Sequence, residues 1–177
     1  MKAFTLVELL VVLTIFSIAL GSISGIFISG IHSQRKIMVD QEILSQMSYV
    51  LEYMGRAIRM AKKDDISFSG QTKSCLSGDK VNYEVSPDQS QIKFRNYQNQ
   101  CQRFYLSSNQ IFEEKDGTSL SLTSPDLKIN SLKFQVFGES QGDDLQPRVT
   151  IFIEVEKAKR NLKFQTTISQ RDLDVQY

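Results

Sequence analysis

Residues 4–31, FTLVELLVVLTIFSIALGSISGIFISGI, decide the fold of the N-terminal part of the chain. Glu8 is the only charged residue in this 28-residue segment. As one helix the segment would run about 42 Å, more than the roughly 30 Å hydrocarbon core of a bilayer. A charged side chain at the centre of such a helix costs roughly 2.5–3.5 kcal/mol on insertion scales, so the presence of Glu8 requires an explanation.

Three interpretations of this segment compete. A cleaved secretory signal would explain Lys2 and the apolar run, but the run is longer than such a signal needs and Glu8 interrupts it. A simple single-span anchor would leave Glu8 unpaired near one end of the helix, where its side chain could reach toward the membrane surface. Neither interpretation explains the order Thr-Leu-Val-Glu at residues 5–8.

The third interpretation rests on a resemblance. The segment KAFTLVELLVVL resembles the N-terminus of type IV prepilins and pseudopilins, where a short basic leader, a small residue, phenylalanine and Thr-Leu-(Val/Ile)-Glu precede a long apolar helix. The resemblance implies that prepilin peptidase cleaves between Ala3 and Phe4, and that the new amino group of Phe4 is methylated. Ala3 stands where the family usually has glycine.

The same resemblance implies a role for Glu8 in assembly. It implies an assembly salt bridge in which the carboxylate of Glu8 in one subunit pairs with the amino group of Phe4 in its neighbour. Each group would otherwise lack a partner in a medium of low dielectric, and pairing relieves both.

The implied architecture is the α+β lollipop of pilins, a long N-terminal helix packed on a mainly antiparallel β-sheet head. The chain would comprise a leader at 1–3, a transmembrane and filament-core helix at 4–31, and a head at 32–177 that remains helical to about residue 63. The protein would cross the inner membrane once, with its head outside the cytoplasm, and later join a filament. The implied partners are prepilin peptidase, sibling pilins or pseudopilins in a hetero-oligomeric filament, and the inner-membrane assembly platform.

Small residues recur at every fourth position of the apolar segment, at Ser17, Gly21, Gly25 and Ser29. Such a stripe lets helix backbones approach one another closely, in a membrane or in a filament core. Chance enrichment is the alternative, because glycine and serine are frequent in membrane spans.

Beyond Ile31 the sequence becomes amphipathic. Its apolar residues follow alternating steps of three and four after one full heptad, which favours a helix that packs on the protein's own sheet over a coiled coil. The predicted apolar face consists of Ile37, Leu44, Met47, Leu51, Met54, Ile58 and Ala61.

After Asp65 the pattern changes from helical to alternating. Eight short segments rich in β-branched and aromatic residues are separated by turn formers, which predicts about seven antiparallel strands. The predicted turns lie at 86–88, 107–109, 116–117 and 142–144. One long helix followed by such strands predicts an α+β head.

Cys75 and Cys101 flank one predicted hairpin and are the two cysteines of the chain. An even number of cysteines beyond a membrane segment favours one disulfide in an oxidising compartment, with two free buried thiols as the alternative. Joining them would contribute roughly 3–4 kcal/mol on the chain-entropy estimate.

Several kinds of chemistry are absent from the sequence. His32 is the only histidine and lies at the membrane boundary, so the head can hold neither a Ser-His-Asp triad nor an HExxH zinc site. Neither nucleotide-binding motif, G-x-x-x-x-G-K-[ST] or G-x-G-x-x-G, occurs. We therefore expect no enzymatic activity, no cofactor and no metal.

The head carries a weaker resemblance. LSQMSYVLEYMGRAIRMAKK and the C-terminal segments LTSPDLKINSLKFQVFG, QPRVTIFIEVE and FQTTISQRDL are similar to parts of J-type minor pseudopilins and related minor pilins. This resemblance implies a structural subunit of a type IV pilus-like or type II secretion filament. A type II secretion filament serves protein transport. The subunit could initiate or cap the filament.

Two other functions stay open. One is a minor pilin that captures DNA through basic residues near the end of the helix, such as Arg56 and Arg59. The other is a membrane-anchored sheet domain unrelated to filaments. The net charge of +1 disfavours nucleic acid as a partner.

Overall fold

The computed structural model describes residues 5–64, 75–78, 81–138 and 145–171. Helix α1 covers Leu6–Arg59 and is followed by eight strands. The strands are β1 Tyr83–Val85, β2 Gln91–Arg95, β3 Cys101–Ser107, β4 Gln110–Lys115, β5 Thr118–Ser121, β6 Lys128–Phe137, β7 Arg148–Lys157 and β8 Arg160–Ser169. The α+β fold predicted from the sequence is confirmed, and all strand pairs are antiparallel.

The strands form two sheets, with the order β1-β2-β3-β4-β5 in the first and β6-β7-β8 in the second. Each strand pairs with a neighbour in sequence, so both sheets are simple meanders. Strand β6 connects them, because its Phe134 N–H donates to the Gln89 carbonyl and its Ile129 N–H to the Asn109 carbonyl, each at 2.9 Å. Two hairpin turns of the first sheet thus abut the edge of the second.

Tight turns join several strands. Asp116 and Gly117 connect β4 to β5, and both have positive φ, as a two-residue type I′ turn requires. Ser108 and Asn109 connect β3 to β4 in the same way. Both turns fall at predicted positions, as does the turn after β1, whereas the turn predicted at 142–144 lies outside the described residues.

The face of α1 that is buried differs in part from the predicted face. Met47, Met54 and Ile58 are buried as expected, and Ala61 is buried just beyond the helix end. Ile43 and Val50 are buried as well, although they were not predicted. Ile37 and Leu44 were predicted on this face but are 52% and 48% exposed. Alternating steps of three and four impose a 3.5-residue repeat, whereas a straight helix has 3.6 residues per turn, so the predicted face drifts away from the buried one.

The helix ends at Arg59, a few residues before the predicted end near residue 63. The Lys62 N–H already donates to the Arg95 carbonyl of β2 at 2.9 Å, so the chain has left the helix for the sheet by this point. The Tyr83 hydroxyl donates to the Ile58 carbonyl at 2.8 Å and so satisfies one of the free carbonyl groups at the helix end.

The core lies between the buried face of α1 and the inner faces of the sheets. Four aromatic rings form a continuous series there, with centroid separations of 6.2 Å between Tyr83 and Phe94, 5.8 Å between Phe94 and Phe104, and 6.4 Å between Phe104 and Tyr53. By its internal contacts the chain forms two compact units, one extending to Gln41 and the other covering Glu42–Tyr177.

Candidate functional site

The first turn of α1 contains the predicted assembly residue. The Glu8 N–H donates to Thr5 Oγ1 at 3.3 Å and the Leu9 N–H to the Thr5 carbonyl at 3.2 Å, so Thr5 caps the helix. Glu8 is exposed in this turn, where the positive end of the helix dipole favours a carboxylate. Ala3 and Phe4, the predicted cleavage residues, lie outside the described residues, and their processing and pairing stay predictions.

The large apolar side chains of α1 from Leu6 to Ile31 are exposed, by 37–75%. Among the described residues, α1 is the one helix long and apolar enough to cross a membrane, and none of its apolar window is buried. Four hydroxyl groups in the apolar part of α1 donate to helix carbonyls three or four residues earlier. These bonds give each hydroxyl group a partner without water. They belong to Thr14, Ser17, Ser22 and Ser24, with oxygen–oxygen distances of 2.8–3.0 Å.

The predicted packing stripe lies within this exposed surface. Ser17, Gly21, Gly25 and Ser29 follow one i+4 row of the helix, the kind of ridge and groove along which helices pack. A Cβ atom added at Gly21 or Gly25 would meet nothing within 4 Å apart from its own stretch of helix backbone and the adjacent residues. The stripe is therefore open among the described residues, and its use in helix packing stays a prediction.

Cys75 and Cys101 form a disulfide, with their Cα atoms 5.5 Å apart across a sequence separation of 26. The pair flanks the hairpin of β1 and β2, as the sequence predicted. The disulfide alternative therefore agrees with the structure, and the alternative of two free thiols does not.

A buried carboxylate holds the chain beside this disulfide. Asp64 Oδ2 accepts the N–H groups of Cys75 and Leu76 at 2.7 Å each, and Asp64 Oδ1 accepts from Arg95 Nε at 2.6 Å. Arg95 also donates from Nη1 to the Asn99 carbonyl at 2.9 Å. We call this arrangement of Asp64, Arg95 and the two amides the Asp64 clamp, and it fixes the disulfide segment to strand β2.

The sequence analysis missed the Asp64 clamp. The one available indication was Arg95, which follows Phe94 at a second consecutive buried position and so breaks the alternation of β2. Its partner lies 31 residues earlier, beyond the end of the helix, where no sequence pattern connects the two.

A second missed contact connects the end of the last strand to the end of the helix. The Arg171 N–H donates to the Arg59 carbonyl at 2.8 Å, and Gln170 Nε2 donates to the Ala61 carbonyl at 3.0 Å. The first donor satisfies the carbonyl group of the last helical residue, which a helix end leaves free, and the second satisfies a carbonyl group just beyond the helix. They fall in the segment FQTTISQRDL, whose resemblance to minor pseudopilins gave no such role.

A polar cluster occupies the boundary between α1 and the first sheet. Glu113 is buried, and its Oε1 accepts from the Tyr53 hydroxyl at 2.8 Å, from Gln102 Nε2 at 2.5 Å and from Lys115 Nζ at 3.0 Å. Burial raises the pKa of Tyr53. Burial alone would lower the pKa of Lys115, but its hydrogen bonds to Tyr53 and Glu113 outweigh this effect and raise it.

Comparison with known proteins identifies the N-terminal segment. Residues 1–31 match the model of the prokaryotic N-terminal methylation motif. No curated protein and no solved structure matches the chain. Because the match ends at Ile31, the resemblance of the head to J-type minor pseudopilins stays a prediction. The methylation motif at the start of an apolar helix, of whose apolar window no residue is buried, supports a type IV pilin-like family for this chain.

Proposed function

We propose that this protein is a minor pilin or pseudopilin, a structural subunit that enters a type IV pilus-like or type II secretion filament through its N-terminal helix and that initiates or caps it. The observation that carries the proposal is the methylation motif at residues 1–31, in which Glu8 is the only charged residue of the apolar segment 4–31. A structural role of this kind requires no catalytic chemistry.

Cleavage between Ala3 and Phe4 would prepare the helix for assembly. The new amino group would lie next to the cap residue Thr5, at the positive end of the α1 dipole, so two positive electrostatic contributions would add there. A neighbouring subunit's Glu8 would compensate both. Methylation of the amine would retain its charge and so preserve the pairing.

The exposed apolar surface supports the same route. A helix with internally satisfied hydroxyl groups is compatible with lipid before assembly and with a core of packed helices afterwards. The open stripe of Ser17, Gly21, Gly25 and Ser29 would allow neighbouring helices to approach closely.

The disulfide supports the proposed location. Disulfides persist in oxidising compartments, so Cys75–Cys101 favours a head outside the cytoplasm with α1 as a single membrane span. On this view the leader is 1–3, the membrane and filament-core segment 4–31, and the head 32–177. Prepilin peptidase, sibling subunits and the assembly platform are the partners that this route requires.

DNA capture has less support than filament assembly. Arg56, one of the residues on which that alternative depends, donates to Glu52 at 2.6 Å in an exposed ion pair. A phosphate would have to compete with this carboxylate, and the overall charge of +1 supplies little further attraction.

Mass spectrometry of the native protein tests the proposal. Protein from sheared filaments should begin at Phe4 and carry a methylated α-amine. The same protein from a strain without prepilin peptidase should retain Met1 and stay in the membrane fraction. Filament-associated protein with an intact Met1 would contradict the proposal.

A further inference from the structure

Strand β8 is an open edge of the second sheet. It pairs with β7 on one side, and no strand pairs with its other side among the described residues. Backbone groups of alternate residues in an antiparallel strand point toward the partner strand and away from it. The Gln170 N–H donates to Pro147, next to β7, whereas the Arg171 N–H donates away from β7 to Arg59. The odd-numbered residues of β8 therefore direct their backbone groups away from β7.

The features that usually protect an open edge are absent from β8. It pairs with β7 along its whole length without a register shift, and it contains no proline. Lys163, whose charge could repel a second strand, is paired with Glu154 at 2.6 Å. A long, regular edge strand of this kind is a template for pairing with a further strand.

Strand β5 is an open edge of the first sheet. Three of its four residues are exposed, and within the described part of the chain no strand pairs with its outer side. The Leu122 N–H donates to the Ile111 carbonyl of β4 at 2.8 Å, so the even-numbered residues face β4. By the same alternation, Ser119 and Ser121 direct their backbone groups away from β4.

Each open edge has an apolar side chain that the core covers incompletely. Leu120 of β5 pairs with Glu113, which accepts from Tyr53 of α1 at 2.8 Å, so Leu120 lies on the helix side of the sheet. It is nevertheless 63% exposed. Phe164 lies on the same side of β8 as Ile168, which packs against α1, and Phe164 is only half-buried.

We propose that these two edges bind each other in neighbouring copies of the chain, with β5 of one copy antiparallel to β8 of the next. One register matches both the backbone and the side chains. Odd-numbered residues then face odd-numbered residues, whose N–H and C=O groups bond across the interface. Apolar residues face apolar residues, and threonine faces threonine, on the helix side. The facing pairs are Thr118–Thr166, Ser119–Gln165, Leu120–Phe164, Ser121–Lys163 and Leu122–Leu162.

Strand β8 runs in the same direction as the part of α1 that lies in the head. Its first residue, Arg160, pairs with Lys157, which contacts Glu42 at the start of this part of the helix. Its end is followed by Arg171, whose N–H donates to the carbonyl of Arg59, the last helical residue, at 2.8 Å. The strand therefore follows the helix from its start in the head to its end.

Strand β5 runs in the opposite direction. It follows the turn at Asp116, whose N–H donates to the carbonyl of Cys101. Cys101 pairs with Arg95, whose carbonyl accepts from Lys62 just beyond the helix end. From this end β5 runs back along β4 past Glu113, which contacts the middle of the same part of the helix.

These directions select β5 of a second copy as the partner of β8. Antiparallel pairing of β5 with β8 directs both helices to the same side, as two chains anchored in one membrane require. Two β8 strands paired antiparallel would direct the helices to opposite sides. The selection rests on the membrane insertion of α1 that the proposed function requires. Because the contact uses different surfaces on the two copies, it can repeat from one copy to the next.

Cysteine cross-linking of the full chain in phosphatidylcholine vesicles tests the proposal. Protein with Ser119→Cys and protein with Gln165→Cys are reconstituted together and oxidised, and covalent dimers are measured by non-reducing electrophoresis. Facing residues that exchange backbone bonds have Cα atoms about 5.5 Å apart, a distance that a disulfide spans. We expect at least about fivefold more dimer in the mixture than in either variant alone.

Asn161→Cys is the matched control for Gln165→Cys. Asn161 is also exposed and belongs to the same outward-facing set of β8, but it lies about 13 Å farther along the strand. Mixed with Ser119→Cys, it should give no more dimer than Ser119→Cys alone. Equal yields with Asn161→Cys and Gln165→Cys, no dimer in the mixture, or as much dimer from Gln165→Cys alone would each overturn the proposal. The last result would indicate pairing of two β8 strands.

A second substitution tests the apolar contact across the interface. Adding Leu120→Asn to the Ser119→Cys chain should lower the dimer yield at least about threefold, because it removes the contact with Phe164. Leu145→Asn is the control, since Leu145 is 57% exposed and lies on neither edge. An unchanged thermal unfolding midpoint confirms that each variant is folded. An unchanged yield in Leu120→Asn, or an equal loss in Leu145→Asn, would contradict the proposal.

Failure of the edge pairing and failure of the proposed function give different results. Cleavage before Phe4 requires no contact between heads, so filament-associated protein that begins at Phe4 without these cross-links would refute the edge pairing alone. Protein that forms the cross-links in vesicles but retains Met1 in filaments would refute the proposed function alone.

Discussion

Asp64 and Arg95 form a buried ion pair in which the carboxylate Oδ1 lies 2.6 Å from Nε and 2.5 Å from Nη2 of the guanidinium. Only 1% of the Asp64 side chain and 5% of the Arg95 side chain are exposed. The remaining carboxylate oxygen binds the amides of Cys75 and Leu76. The charge is therefore compensated on both oxygens, and the pair gives the disulfide segment its place against β2.

Asp64→Asn should destabilise the head strongly. Removing one partner of a buried ion pair leaves the other charge uncompensated, which typically costs about 3–5 kcal/mol. Urea unfolding of the disulfide-bonded protein in micelles, followed by near-ultraviolet circular dichroism, measures this loss. Glu114→Gln is the control, because its ion pair with Arg103 is partly exposed and should contribute less than about 1 kcal/mol. A comparable effect of the two substitutions would contradict the importance of burial.

Replacing both Cys75 and Cys101 by alanine should lower the stability of the head by about 3–4 kcal/mol, because the unfolded chain regains the freedom that the cross-link removes. Membrane insertion should be unaffected, since the apolar part of α1 lies in the other compact unit. Urea unfolding and membrane fractionation measure the two effects. Rapid alkylation of both cysteines in folded, unreduced wild-type protein would show that the disulfide is absent.

Glu8→Leu should yield a protein that is expressed, inserted and cleaved but largely absent from sheared filaments. The substitution removes the carboxylate that we propose pairs with a neighbouring subunit's Phe4 amine, and breaking such a desolvated pair costs about 3–5 kcal/mol. The measurement is the ratio of filament-associated to membrane-associated protein in the producing strain. Incorporation equal to wild type would show that the carboxylate is not an assembly contact.

The Glu8→Gln variant distinguishes pairing with a neighbouring subunit from capping of the residue's own helix. Thr5 and Glu8 have the spacing of a capping box, in which glutamine can replace glutamate. If Glu8 serves only its own helix end, Glu8→Gln should assemble like wild type. If the charge pairs with a neighbouring amine, Glu8→Gln should fail nearly as severely as Glu8→Leu, and we expect this second result.

The carboxyl group of Asp88, in the β1–β2 turn, should titrate at unusually low pH. Hydrogen bonds from the side chains of Ser86 and Ser90 lower the pKa of Asp88 from 3.8 to about 2. Because the folded value lies below the unfolded one, the contribution of Asp88 to stability is complete above about pH 4 and disappears as the pH falls through about 2. Carboxyl carbon chemical shifts measured against pH give the midpoint directly. Ser86→Ala should raise it, Ser119→Ala should not, and an identical midpoint in both variants would refute the assignment.

Periodic features were predictable from the sequence because they depend on neighbouring residues. The strand segments at β6 and β7 were recognisable from their β-branched and aromatic residues, and the Asp116-Gly117 pair predicted a turn. The N-terminal motif was equally local, since Phe4, Thr5 and Glu8 lie within five consecutive residues.

Contacts between distant residues were not predictable in this way. Tyr53 and Glu113 are 60 residues apart, and each alone resembles an ordinary half-buried tyrosine or a surface glutamate. The burial of Glu113 depends on how the sheet meets the helix, which no single segment specifies. The exposure of Leu44 also depends on how the helix meets the sheet. The whole apolar face decides how the helix is rotated about its axis, and Leu44 alone does not reveal this rotation.

The contact between Gln170 and Ala61 spans 109 residues, whereas every strand pairs with a neighbour in sequence. Such local pairing keeps the contact order of the sheets low, and low contact order favours rapid folding. The hairpins can therefore form one after another as the chain emerges from its N-terminal to its C-terminal end. The carbonyl groups of Arg59 and Ala61 receive their donors only from the segment after the last strand. A chain interrupted before Gln170 could therefore complete the first sheet, with Tyr83 bonded to the Ile58 carbonyl, and still leave these two carbonyl groups without those donors.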